Sequence, residues 1–159
     1  MGTGMKEEGF AALLRERVRP SHPNGSPVYP CAATLGGGEV LSRLVVAIDT
    51  GWKRSGLPPE PAPTVIFDDI SDVFESPFRL SPDLLRDAYH RGETGMGALM
   101  VVLTMSDGER LLFKSGWILD FPDLPAPYSP ADVVAAGPAG GAAWKLPVVS
   151  PAVVDLCYL

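Results

Sequence analysis

Cysteine and histidine are scarce in this chain, and their scarcity excludes several kinds of site. Two of each occur among the 159 residues. Cys31 and Cys157 are too far apart to form a paired-cysteine zinc motif, and neither lies in a sequence typical of a cysteine enzyme. His22 and His90 are isolated as well. We therefore expect no metal site and no cofactor, and we interpret both cysteines as reduced, buried side chains of a cytoplasmic protein.

Positive charge and long apolar runs are also in short supply. The chain has 13 Lys and Arg against 19 Asp and Glu, which gives a net charge of −6. Nucleic-acid binding depends on clustered Lys and Arg, so this composition argues against it. No apolar run approaches the roughly 20 residues that span a bilayer, and residues 1–10 lack the apolar centre of a signal peptide. We therefore expect no membrane partner.

The glycine-rich segment Gly36–Gly38 lacks the residues of a phosphate-binding loop. Glu39 and Val40 follow it, instead of a Lys-Ser or Lys-Thr pair at the start of a helix. The chain likewise contains no nucleophile elbow, dinucleotide fingerprint or metalloprotease helix. We therefore predict a plain turn at these glycines, and no local motif indicates catalysis.

Apolar residues and turn formers are abundant. Hydrophobic residues make up 46% of the chain, the mean hydropathy is +0.14, and Gly and Pro occur 17 times each. These values argue against disorder and indicate many turns between short strands. We predict an α+β fold: a mainly antiparallel sheet, or a partly open barrel of sequential hairpins, with two or three short helices.

Residues 97–115 give the clearest β-hairpin pattern. Ala98–Met105 is almost entirely apolar, so we predict a central strand covered on both faces. Asp107 and Gly108 suit a type I′ turn. Alternate residues of the returning strand, Arg110–Ser115, should face opposite sides of the sheet. The two sets are Leu111 and Phe113 on one side, and Arg110, Leu112 and Lys114 on the other.

A second hairpin is predicted from Cys31–Leu35 and Val40–Asp49. The segment Thr34–Leu41 shares Thr, a turn glycine, Glu and Leu with Thr104–Leu111, at an offset of 70 residues. Such a recurrence indicates either an internal duplication or common turn chemistry. We favour turn chemistry, because the sequence similarity extends no further.

Two segments carry helix signals. Met5–Arg19 has one apolar stripe and ends at Pro20, so we expect it to dock on the sheet, with docking on another chain as the alternative. Ser81–Arg91 begins with an N-cap serine followed by proline, and Gly92 terminates it. By the same Ser-Pro signal, we predict that Ser129–Asp132 begins a further short helix.

These elements suggest three regions. Residues 1–30 form an N-terminal helix and a proline-rich linker, 31–128 form the antiparallel core with helix 82–91, and 129–159 form a C-terminal helix and an apolar tail. The tail should pack on the core or on a partner. Further short strands are predicted at Thr64–Phe67, Ile70–Glu75 and Trp117–Phe121, and a flexible stretch at Gly137–Ala143.

Two loops carry features that plain connectors do not need. One places the aromatic Trp52 beside two cations, and the other, Gly92–Gly97, follows His90. Aromatic residues and arginine dominate binding hot spots, so we predict a binding surface where the two loops meet. Its candidate residues are Trp52, Lys53, Arg54, His90, Glu93, Thr94 and Met96.

No sequence feature identifies a reaction, so we favour a non-catalytic protein-binding or assembly module. This class includes small acidic inhibitors and immunity-type proteins. The partner would be another protein, or a second copy of this chain bound through Trp144 and the tail at 152–159.

Two alternatives remain open. One is an enzyme that acts on a small molecule, with His90, Glu93 and an aspartate of the 68–72 cluster as acid–base groups. The aspartates of that cluster are Asp68, Asp69 and Asp72. The other is a weak nucleic-acid binder that uses residues 52–54, which the net charge disfavours.

Overall fold

Two four-stranded sheets organise the chain. The computed structural model describes residues 3–23, 27–48, 63–92 and 98–159. The chain divides into two compact units, which consist of Met1–Pro77 with Val153–Leu159 and of Phe78–Ala152. In the described residues, two helices and eight strands form two mainly antiparallel sheets that are not closed into a barrel. The predicted α+β class is confirmed.

Among the described residues, each unit contains one helix and four strands. The first unit has α1 (Thr3–Arg17), β1 (Val28–Leu35), β2 (Val40–Ala47), β3 (Ile70–Phe74) and β8 (Asp155–Tyr158). The second unit has α2 (Pro82–Arg91), β4 (Leu99–Met105), β5 (Arg110–Ser115), β6 (Val133–Pro138) and β7 (Val148–Val149). Short 3-10 helices occupy Phe67–Asp69, Pro130–Asp132 and Ala143–Lys145. Neither helix of the described ranges is long and apolar enough to cross a membrane.

The first sheet has the strand order β3-β1-β2-β8. Strands β1 and β2 form the predicted hairpin, and β3 pairs antiparallel with β1. The apolar tail supplies β8, which pairs parallel with β2. Helix α1 packs on this sheet through Phe10, Leu14 and Val18, which share a buried cluster with strand residues. The structure therefore places this helix on its own sheet.

The second sheet has the strand order β6-β4-β5-β7. Strand β4 is paired on both edges, which confirms the predicted central strand. Helix α2 is confirmed as well: it begins at Pro82 and ends before Gly92, whose φ is 76°. Its buried Leu85 and Ala88 join Phe113 and other strand residues in the core of this unit.

The two units share one topology. Each has a helix, an antiparallel hairpin, a 3-10 turn, a third strand antiparallel to the first hairpin strand, and a last strand parallel to the second. The register next to the hairpin turn agrees as well, since Thr34 pairs with Val40 and Thr104 pairs with Arg110. Farther from the turn, β1 and β2 have a register shift between Cys31 and Ala33 that β4 and β5 lack. The likeness first seen at the hairpin turns therefore extends to the whole unit. This favours an internal duplication over turn chemistry alone.

The two hairpin turns are built alike, but not as predicted. Gly108 N–H donates to the carbonyl of Met105 at 2.9 Å, and Gly38 N–H donates to that of Leu35 at 2.9 Å. Each turn is thus centred on the two residues before its glycine, and the glycine follows with a φ of 91° at Gly108 and 93° at Gly38. The predicted two-residue type I′ turn at Asp107 and Gly108 is therefore wrong. The connection has three residues, and glycine supplies the left-handed conformation that closes it.

Some local predictions differ from the structure. Thr64–Phe67 contributes an isolated bridge at Thr64 rather than a strand, and Trp117–Phe121 is irregular. Ser129–Asp132 forms only a three-residue 3-10 helix, closed by a capping box. The stretch Gly137–Ala143 begins inside β6, which pairs with β4 although its residues are small. Pairing with a neighbouring strand overrides weak local propensity here.

Candidate functional site

The structure describes one residue of the predicted binding surface. His90 lies on the last turn of α2, where its side chain is exposed. The other six residues lie outside the described part of the chain: Trp52, Lys53, Arg54, Glu93, Thr94 and Met96. That the two loops form one surface stays a prediction.

The aspartates of the enzyme alternative lie in the first unit, whereas His90 lies in the second. Asp68 and Asp69 belong to a 3-10 helix, and Asp72 belongs to β3. Asp72 forms an ion pair with Arg17, and both side chains are 46% exposed. Among the described residues, no three His, Cys, Asp or Glu side chains are grouped as a metal site requires. The observed role of Asp72 is to connect β3 to the end of α1.

The second sheet has one face turned away from its core, which we call the outer face. Strand pairing puts every second residue on this face. Thr104 is paired with Ala135 on one side and with Arg110 on the other, and these three residues form one row. In the next row, Val102 is paired with Gly137. Because Ala135 and Gly137 have almost no side-chain volume, the outer face is hollow above β6.

A groove of about 310 Å³ occupies this hollow, and we call it the outer-face groove. Its lining residues are Val102, Thr104, Arg110, Ala135, Gly137, Pro138, Gly140, Ala142 and Ala143. Of the described lining residues, Thr104 and Arg110 supply the polar side chains, and none is acidic. The volume is at the lower end of the range of about 300–1,000 Å³ that is typical of ligand sites. The groove therefore suits an apolar or anionic group of modest size.

The positive charge of the outer face is exposed. Arg110 and Lys114 alternate along β5 with the core residues Leu111 and Phe113, and both cations face solvent. Neither cation forms an ion pair within the described ranges of the chain. This face thus offers free positive charge in a chain whose net charge is −6.

An exposed tryptophan lies beside the groove. Trp144 follows the lining residues Ala142 and Ala143 directly, and it is 72% exposed. The Nζ atom of Lys145 lies 5.4 Å from the centroid of the indole ring, within cation–π range. The outer-face groove is therefore bordered by an indole and by a third cation.

A second hollow, of about 330 Å³, lies between α1 and the 3-10 helix at Phe67–Asp69. Its walls include Phe10 and Phe67, whose ring centroids are 6.3 Å apart. Asp68 is the one charged residue among the described residues of its lining. This hollow is chemically plainer than the outer-face groove, which combines a cation, a hydroxyl and a neighbouring exposed indole.

The second unit also contains a buried polar network. Arg79 Nε donates to Asp120 Oδ2 at 2.8 Å, and the Tyr89 hydroxyl donates to Asp120 Oδ1. The Arg79 and Asp120 side chains are 2% and 0% exposed. Burial and the Asp120 charge raise the pKa of Tyr89 well above its usual value, so the phenol remains a donor. The same hydroxyl accepts the N–H of Leu119 at 2.6 Å, which joins α2 to the segment after β5.

Both thiols lie in the core of the first unit. Cys31 and Cys157 are buried, and neither forms a disulfide. Burial raises the pKa of Cys157 to about 12. This thiol is therefore protonated at neutral pH, a state that is a poor nucleophile.

Sequence reasoning named Trp144 as a contact residue but missed the groove beside it. The alternation of Arg110 and Lys114 with core residues was visible in the sequence, but the hollow depends on which residues of β6 lie opposite β4. Comparisons of the chain with protein-family models, with curated proteins and with solved structures find no match. The function is therefore inferred from the geometry of the site.

Proposed function

We propose that this protein is a non-catalytic binding module that contacts another protein through the outer face of its second unit. The observation that carries the proposal is Trp144, which is 72% exposed beside the outer-face groove. Tryptophan is among the residues most enriched in binding hot spots. Small acidic inhibitors and immunity-type proteins belong to this class of module.

The exposed indole is a large source of binding free energy. A tryptophan side chain buries about 150–250 Å² when it is covered. With 72% of Trp144 exposed, a partner that covers it removes roughly 110–180 Å² from water, which corresponds to about 3–4.5 kcal/mol. This is an upper bound, but it lies in the range of a hot-spot residue. Trp144 should therefore dominate the interface.

The absence of a disulfide among the described residues supports a cytoplasmic site of action. Cys31 and Cys157 are both buried in the first unit, and neither forms a disulfide there. Reduced cysteines are typical of cytosolic proteins, whereas small secreted domains are rich in disulfides. The proposed partner is accordingly another cytoplasmic protein.

The test compares capture of a partner by matched variants. The wild-type protein, Trp144→Ala and Ile66→Ala are immobilised, and proteins retained from a lysate of the source cells are quantified. Ile66 is a suitable control, because it is a large apolar residue that is 63% exposed in the other unit. A retained protein is then purified, and its affinity for all three chains is measured by calorimetry.

We expect the Trp144→Ala variant to bind the purified partner at least tenfold more weakly than wild type, with Ile66→Ala unchanged. Circular dichroism should show that both variants keep the wild-type fold, since both side chains are exposed. Equal affinities of Trp144→Ala and wild type would refute the proposal.

A further inference from the structure

Because the two units share one topology, each position on the outer face of the second unit can be compared with the equivalent position in the first. The pair Thr104–Arg110 in the second unit corresponds to the pair Thr34–Val40 in the first. Val40, a residue without charge, thus occupies the position of Arg110. The first unit therefore shows that this position does not need a cation for the fold.

The same holds for the second cation of β5. Lys114 is paired with Met100. Pro30, which lies 70 residues before Met100, is paired with Val45, because β1 and β2 carry a register shift between Cys31 and Ala33. Val45 is fully buried, whereas Lys114 is exposed. Two cations on the outer face of the second unit thus occupy the positions of two valines in the first. The shared fold therefore does not require positive charge at these two positions.

The small lining residues of the groove favour an extended chain. Five of the nine described lining residues are Gly or Ala, so a peptide backbone can approach them closely. The hydroxyl of Thr104 offers a hydrogen bond at the groove, and Arg110 offers a planar set of donors that matches a carboxylate.

From this comparison we infer that the outer-face groove binds an extended, acidic segment of the partner protein. Small side chains of the segment face the Gly and Ala lining, and carboxylates pair with Arg110 and with the neighbouring Lys114 and Lys145. Trp144 covers the apolar part of the segment. This inference rests on the proposed function, because it names the chemistry of the partner at that site.

Two other occupants are less well supported. A nucleic acid would also bring negative charge, but the chain carries a net charge of −6, which repels a phosphate backbone. A second copy of the chain would bury Trp144 by self-association. Both are outcomes that the experiment below detects.

The experiment uses three capped octapeptides as probes. The first alternates alanine and glutamate, and the others carry glutamine or lysine in place of glutamate. Binding of each fluorescently labelled peptide to the full-length protein is measured by anisotropy, against wild type, Arg110→Val and Arg86→Ala. Arg110→Val introduces the residue of the first unit, and Arg86→Ala removes an exposed cation that is paired with Asp83 on α2.

The glutamate peptide should bind wild type and Arg86→Ala equally and Arg110→Val about fivefold more weakly. The glutamine peptide should bind less tightly than the glutamate peptide, and the lysine peptide should not bind. At about 1 M salt, where charges are screened beyond roughly 3 Å, the preference for glutamate should disappear.

Four results would overturn the inference. The first two are equal binding of the glutamate and glutamine peptides, and no binding of any peptide. The third is that an unlabelled oligothymidylate, added as competitor, displaces the labelled peptide better than the unlabelled glutamate peptide does. The fourth is that the protein forms a concentration-dependent dimer which Trp144→Ala abolishes. Failure here is separable from failure of the proposed function. If the captured partner loses affinity for Trp144→Ala but not for Arg110→Val, the proposal of a binding module is supported and the inference of an acidic ligand is refuted.

Discussion

The buried network of Arg79, Tyr89 and Asp120 makes a quantitative prediction about stability. Removing the carboxylate with Asp120→Ala leaves the Arg79 guanidinium, 2% exposed, without this charged partner. Breaking a buried ion pair in this way costs about 3–5 kcal/mol. The Tyr89 hydroxyl loses its acceptor in the same variant. We therefore expect Asp120→Ala to lower the free energy of unfolding by about 3–5 kcal/mol, a large part of the 5–15 kcal/mol that is typical of a domain.

An exposed ion pair in the same unit provides the control. Arg86 and Asp83 are 2.7 Å apart, but their side chains are 72% and 59% exposed. Water screens this pair, so we expect Arg86→Ala to cost only about 0–1 kcal/mol. Burial, rather than the distance between the charged atoms, should decide the size of the effect.

The assay is urea denaturation followed by far-ultraviolet circular dichroism. If Asp120→Ala does not fold, Tyr89→Phe tests the same network, because losing a hydrogen bond to a charged group costs about 1.5–3 kcal/mol. The reasoning is refuted if Asp120→Ala, or Tyr89→Phe in its place, costs no more than Arg86→Ala.

Three further predictions concern a turn, a thiol and a tyrosine. Gly108→Val should lower the free energy of unfolding by about 1–3 kcal/mol in urea melts, because φ at Gly108 is 91°. Gly37→Val should lower it by less, since Gly37 has no positive φ. Equal losses of stability in the two variants would contradict this reasoning. Iodoacetamide at about pH 8 should not alkylate Cys157 in the native protein, since burial raises the pKa of this thiol to about 12; mass spectrometry detects the modification. Rapid alkylation without unfolding would contradict this, because it would show that the thiol is accessible. The hydrogen bond to Asp107 raises the pKa of Tyr128 to about 12 from 10.0, so its stabilising contribution is complete below pH 10 and is lost as the pH rises towards 12. Wild type should therefore lose stability more steeply than Tyr128→Phe between pH 10 and 12, and parallel curves would contradict this.

Elements specified by their own residues could be predicted from the sequence. Strand β4 is a short apolar run next to a glycine turn, and α2 has a serine, a proline and a terminal glycine at the expected positions. The exact turn type was not predictable, because Asp-Gly also fits the three-residue connection that the hydrogen bond from Gly108 to Met105 reveals.

Elements specified by distant partners could not be predicted. Strand β6 contains Ala, Gly and Pro, and it is a strand because β4 pairs with it. Strand β8 lies beside β2 although about 110 residues separate them in sequence, and no local pattern encodes that register. The outer-face groove exists because Ala135 and Gly137 lie opposite Thr104 and Val102, so it became visible only with the pairing.

Chemical-shift mapping on the isotope-labelled protein tests the central claim most directly. The purified partner, identified by its dependence on Trp144, is titrated into the protein, and the amide signals and the indole N–H of Trp144 are followed. We expect the largest changes at Val102, Thr104, Arg110 and residues 135–145, which form and border the outer-face groove. Changes confined to the first unit, with the signals of the groove unmoved, would contradict the account.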